Sequence, residues 1–389
     1  MSKHIKYKSS IGFHFILCST LLFFPACGPK RDSQSKDTLL VPLKPYRLNS
    51  PYASSLYLCT RTEDPAKSLP YLGNEAGPIT RDHILNRLMV SDSWMGQRFE
   101  EFLDFMAEKT QGDFYQLVKP LKTIAITADI SEPGGAHYTF ATSRITIEAT
   151  RLYLSAEEKK SLTGEAKKSI LSDYSKKLDF RHFEKKLCKD TKCLVSKTDA
   201  NGDRSREDVF YLFAETFYHE LAHANDYYQP KKYVPELSDE LKKLNMDEKN
   251  LSSKLQELFP TESVDSAFHN LFGTDRDIII KSQADLDAIN AKWNKDYVSS
   301  FLKNNSAVRL YGLNNEKEHL ATSFAAFMIY LRFGFSPRTY ILNPDDKTIY
   351  YGEKERIAMP RVLADIKEAA KLVMPQLSTQ IDNVKFDID

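Results

Sequence analysis

The stretch Phe217-Tyr218-His219-Glu220-Leu221-Ala222-His223-Ala224-Asn225-Asp226-Tyr227-Tyr228 decides how the rest of the chain is read. On a helix, two histidines four residues apart lie one above the other, so both imidazoles can address a single ion. Glu220 follows the first of them, where its carboxylate reaches a water beside the ion rather than the ion itself. The flanks favour a buried helix. Phe210, Leu212, Phe213, Phe217 and Leu221 supply an apolar face, Ser205-Arg206-Glu207-Asp208 reads as a capping box, and Pro230 ends the segment. The spacing predicts a helix over 205–228 with His219 and His223 as ligands of one zinc ion per chain. Glu220 is the expected general base and acid of a hydrolysis. The bland alternative is two partly buried histidines beside an exposed glutamate.

A catalytic zinc takes a third protein ligand and keeps one position open. The metzincin continuation is excluded, because Asp226 and Gln229 stand where it needs Gly and His. An aspartate from Gly273-Thr274-Asp275-Arg276-Asp277 is conceivable, but misses the aspzincin spacing by one residue. The better candidate is Glu318, where Leu320, Phe324 and Phe327 mark a second buried helix over about 315–331 that ends before Gly334.

Together, His219-Glu-Leu-Ala-His223-Ala-Asn-Asp226-Tyr and Tyr311-Gly-x-x-Asn315-Glu-x-Glu318-x-x-Ala321-x-x-Phe324 resemble the catalytic domain of anthrax-lethal-factor-like gluzincins. The resemblance implies a zincin-like fold, Glu318 as third zinc ligand, and Tyr311 as a hydrogen-bond donor to the developing oxyanion or leaving group. It covers two short motifs. Thr322 departs from it, since the family carries a glutamate there. Asp226, on the same helical face as both histidines, is an alternative source of a supporting carboxylate. The motifs stand about 95 residues apart (His223 to Glu318), farther than in the lethal factor, which marks the charged, helix-forming 231–300 as an insertion.

Outside these motifs the pattern is α+β, a small mixed sheet packed on helices. Trp94, Phe99, Phe102, Leu103, Phe105 and Met106 recur with helical period over 92–117. Lys122 to Ile130 alternates and is β-branched, as a strand would be. A turn at Pro133-Gly134-Gly135 precedes one or two strands in Tyr138 to Ala149. Arg144 to Ala149 is weighed evenly as an ordinary strand or as one that edges the cleft and pairs with extended substrate. His137 follows the turn, with a core or surface role as its default. Residues 155–190 are Lys/Glu-rich and helical in pattern. Breaks fall near Pro260 and Gly273, Thr339 to Tyr351 is strand-like, and a last helix lies beyond Pro360. His319 adjoins Glu318 but points roughly 100° away on a helix, which assigns it to structure or surface rather than to the metal.

The N-terminus has the layout of a signal peptide: Lys3, His4, Lys6 and Lys8, then an uncharged apolar run from Ile11 to Phe24 that is short for a membrane span. Phe24-Pro25-Ala26-Cys27 resembles a bacterial lipoprotein signal, which implies a lipid on Cys27 as the one membrane attachment. The expected division is signal peptide 1–26, polar tether 27–50, and a single catalytic domain over 51–389. Export places the chain on the outer membrane or cell surface, otherwise in the periplasm or medium. An oxidising compartment favours a disulfide among Cys59, Cys188 and Cys193, and Cys188-Lys-Asp-Thr-Lys-Cys193 offers a small loop. A formal charge of +1 gives no basic excess for nucleic acid. The expected substrate is a protein or peptide, cut by a metalloendopeptidase of the bacterial envelope or exterior. The alternatives are a peptidase of peptidoglycan cross-links and a non-catalytic metal-binding lipoprotein.

Overall fold

The computed structural model describes residues 42–59, 69–110, 112–128, 135–139, 142–162, 183–189, 192–194, 198–227, 250–272, 282–342, 349–353 and 356–385. The signal-like segment, Cys27, much of the tether, residues 231–249 and the 273–277 aspartates lie outside them.

Five strands build the first sheet. Strands β1 (Lys44–Pro45) and β2 (Leu88–Val90) frame the helices α1 (Ala53–Cys59) and α2 (Arg81–Leu85). Helix α3 (Ser93–Thr110) and the short α4 (Phe114–Leu117) lead to β3 (Thr123–Thr127). The expected single helix over 92–117 breaks here because Gly112 has φ 75°, which a helix cannot continue through. Strands β4 (Ala136–Thr139) and β5 (Arg144–Glu148) complete the sheet, in the order β1-β2-β3-β5-β4. β2, β3 and β5 run parallel, and β1 and β4 close the two edges antiparallel.

The period of two sorts the side chains. Ile124, Ile126, Ile145 and Ile147 enter the main core, while Ala125 and Met89 join Leu56 and Leu69 in a smaller cluster. β5 is therefore not the edge strand weighed from the sequence: its two buried isoleucines take an inner place between β3 and β4. The edge is β4, with its four residues half-buried.

Helix α5 (Ala156–Lys160) is the described helical part of 155–190. Residues 183–189 are instead strand β6 (Phe183–Lys189), followed by β7 (Lys192–Cys193). Lysine-rich composition favours helix locally, but pairing of β6 with β8 (Ser336–Leu342) overrides it. Cys188 and Cys193 face each other across the β6–β7 ladder and form a disulfide. With β9 (Ile349–Glu353) these strands make a second, antiparallel sheet in the order β7-β6-β8-β9.

The long helix α6 (Arg206–Tyr227) matches the segment expected from the sequence, and Ser205 Oγ accepts from Asp208 N at its start (3.3 Å). Phe99 and Phe102 of α3 interlock with Phe210, Phe213 and Phe217 of α6; the Phe102 and Phe213 rings meet edge-on at 4.5 Å. Each such ring contributes roughly 1.5–3 kcal/mol by burial, which fixes α6 on the sheet side of the core. Helix α7 (Leu251–Leu258) joins the same core through Leu251 and Leu255. Helices α8 (Val264–Phe272), α9 (Gln283–Lys292) and α10 (Lys295–Asn304) instead enclose a cluster of their own around the buried Trp293.

Helix α11 (Glu316–Phe333) is buried along most of its length between α6, α7 and α12 (Pro360–Val373), and ends at Gly334 with φ 72°. The short α13 (Ser378–Asn383) follows. The class is α+β. No described helix is long and apolar enough to cross a membrane.

Candidate metal centre

Two helices that touch along their length bring the motif residues together. On α6, His219 and His223 stand one turn apart with ring centroids 4.7 Å apart and planes near perpendicular, and their Nε2 atoms are 3.1 Å from each other. On α11, Glu318 lies in the first turn, where Asn315 Oδ1 accepts from the backbone N–H of both Lys317 and Glu318 at 3.0 Å. That cap satisfies donors a helix start would leave free and fixes the backbone that carries Glu318. Its Oε2 then sits 3.0 Å from His219 Nε2 and 3.4 Å from His223 Nε2. Neither carboxylate contact is aligned as a hydrogen bond.

The donor set suits a transition-metal ion. Two imidazole nitrogens and a carboxylate oxygen are zinc ligands, and a tetrahedron with bonds of about 2.0–2.1 Å has edges of about 3.4 Å. The three atoms form a triangle of that size. Among the described residues this is the one such group of three His, Cys, Asp or Glu side chains. The aspartates at 273–277 lie outside the described residues.

Mutual charge tunes the three. Burial alone would lower the His223 imidazole, but Glu318 overrides it, with smaller help from Glu220 and Asp226, and its pKa is pushed up to about 8. Burial alone would raise Glu318; the two imidazoles reverse this and hold it well below the usual carboxylate range.

Glu220 is 5% exposed and its Oε2 has no hydrogen-bond partner in the protein. A buried carboxylate oxygen left open beside the two histidines is placed to take a proton from something else. Tyr311 lies in a 3-10 turn, Leu310–Leu313, with its ring 5.8 Å from that of His219. It is 43% exposed, at the rim of the group. Partial burial, then the Glu318 and Glu220 carboxylates, push its phenol well above the usual value, so it stays a donor.

The surrounding residues differ from the expectation. Asp226 acts on His223 through charge alone: its Oδ1 accepts from Ser252 N at 2.8 Å near the start of α7, and its Oδ2 has no hydrogen-bond partner in the protein. Thr322 is buried with no hydrogen-bond partner for its hydroxyl. His319 is buried and turned away from the histidine pair, with Nε2 2.6 Å from Asp365 Oδ2 on α12. His137 is in β4, opposite Thr146.

Two partners were not legible in the motifs. Arg309, two residues before Tyr311, forms an ion pair with Glu215, one turn before His219 on α6. Glu215 shares a helical side with His219, which is a faint signal; Asp365 had none. Comparison with protein-family models, with curated proteins and with solved structures gave no match to this chain.

Proposed function

We propose that this chain is a zinc-dependent peptidase with a zincin-like catalytic unit, similar to the lethal-factor-like gluzincins. The observation that carries the proposal is the convergence of His219 Nε2, His223 Nε2 and Glu318 Oε2 within 3.4 Å of one another, with Glu220 and Tyr311 beside them. His219, His223 and Glu318 would hold one zinc ion, and when bound it would supply Lewis-acid chemistry for a water and the scissile carbonyl. Glu220 takes the proton of the attacking water through its free Oε2 and returns it to the leaving amine. Tyr311 donates its hydroxyl hydrogen to the oxygen on which charge develops.

A protein or peptide in extended form is the substrate this arrangement favours. β4 is a sheet edge packed beside α6, and an edge strand offers backbone groups for a further strand. The Cys188–Cys193 disulfide supports an oxidising compartment, in keeping with export and with anchoring through Cys27.

Metal analysis of the purified protein, beside a Glu220→Gln variant assayed on casein and on peptidoglycan, tests the reading. About one zinc per chain and Glu220-dependent cleavage of casein are expected. Cleavage confined to peptidoglycan would move the substrate to wall cross-links. Bound zinc without any Glu220-dependent hydrolysis would make the chain a metal-binding protein, and absence of zinc would overturn the proposal.

A further inference from the structure

Resting on that reading, we infer that Asp365 is a positioning residue for Glu318, acting through His319. Asp365 is fully buried on α12, and both its oxygens are taken by side chains of α11. His319 Nε2 donates to Oδ2 at 2.6 Å and Ser323 Oγ donates to Oδ1 at 2.9 Å. His319 and Ser323 are one turn apart and both buried. A single carboxylate thus grips two successive turns of α11 from one side.

The grip falls where the helix is weakest. The first turn of any helix lacks intrahelical partners for its N–H groups and frays. Glu318 is in that turn. It faces α6, while the adjacent His319, roughly 100° further round, faces α12. Rotation or sliding of α11 that would swing Glu318 off the two histidines must break the His319 contact, the Ser323 contact, or both. The Asn315 cap holds the backbone of the turn; the Asp365 clamp holds its rotation.

Cost points the same way. A buried ionic or polar pair is often no more stabilising than well-packed apolar residues of the same volume. What the pair supplies here, and apolar packing does not, is a fixed angular setting for the neighbouring ligand.

The test compares zinc affinity with thermal stability in Asp365→Asn, in Ser323→Ala, and in the apolar double variant His319→Leu/Asp365→Leu. Zinc alone is titrated against a chromophoric chelator, and the cobalt(II) absorption spectrum is recorded for each. Asp365→Asn and the double variant should bind zinc about 10- to 100-fold more weakly, as for loss of groups that orient metal ligands. Their cobalt bands should change, and the double variant should keep or raise its melting temperature. Ser323→Ala, which leaves the His319 contact, should lose less than about tenfold. Unchanged zinc affinity and cobalt spectrum in variants that fold would overturn the inference and leave the peptidase reading standing. A wild-type protein that binds no zinc would overturn both. If Asp365→Asn fails to fold, the double variant and Ser323→Ala decide.

Discussion

Arg309 and Glu215 form a largely buried ion pair that ties the segment carrying Tyr311 to the helix carrying His219. The remaining guanidinium nitrogens Nε and Nη2 are buried without partners, so Glu215 is the main compensation for that charge. Removing one partner of such a pair leaves the other uncompensated, which costs far more than the pair contributes. Glu215→Ala should therefore destabilise the protein by about 3 kcal/mol, whereas Glu215→Leu/Arg309→Met should recover most of that loss. Urea unfolding of the three proteins decides it; equal stability of the single and double variants would refute it.

Glu318→Ala should abolish stoichiometric zinc binding, because two imidazoles alone do not complete a catalytic site. Tyr311→Phe should keep the metal and lower kcat by roughly 10²–10³-fold, the usual consequence of losing one donor to a developing oxyanion. Zinc content and steady-state kinetics on the same preparations separate the two roles. Normal zinc content in Glu318→Ala would place the third ligand elsewhere.

The metal-free protein should show a stability signature of His223. Its folded pKa of about 8 lies above the 6.5 of a free imidazole. The stabilisation, about 2 kcal/mol from a shift of that size, is thus fully present below pH 6.5 and lost as pH rises through 8. Glu318 acts in the opposite sense, because its lowered pKa gives stability that is lost as pH falls below the usual carboxylate range. Denaturation of the apoprotein between pH 5 and 9 should show stability highest near pH 5–6.5 and falling towards 8–9. Zinc competes with the same proton, so apparent zinc affinity should rise about tenfold per pH unit up to about 8 and then level off. A flat profile for both would refute the His223–Glu318 coupling.

The β6–β7 hairpin should depend on its disulfide. Closing so short a loop is worth about 2 kcal/mol in the chain-entropy account. Cys188→Ser/Cys193→Ser should lose about that much in urea unfolding, and a reducing agent should reproduce the loss in the unmodified protein but not in the double variant. The zinc site, on other elements, should be unaffected.

Strong local signals carried from sequence to structure. The apolar periodicity and capping serine of α6 gave its limits to within a residue or so, and Gly334 marked the end of α11. Glu318, in the first turn of α11, and Tyr311, in the 3-10 turn before it, fall beside the histidines because α11 packs along α6. What failed was set by distant partners. β6 reads as helix from its lysines and is a strand because β8 lies beside it. β5 and β4 look equivalent until the pairing order shows which is the edge. Asp226 has helical spacing suited to supporting His223, yet Ser252 of α7 claims it. Thr322 has no substitute carboxylate in its own helix; the acid that steadies this region comes from α12 and grips His319 instead.

The three donor atoms also differ in what makes them neighbours. His219 and His223 are brought together by one turn of a single helix, whereas Glu318 stands beside them because α11 packs along α6. Without that packing, the carboxylate of the trio is missing from the histidine pair. On the proposed reading, an ion held by all three atoms would cross-link the two helices, so its release would report their separation.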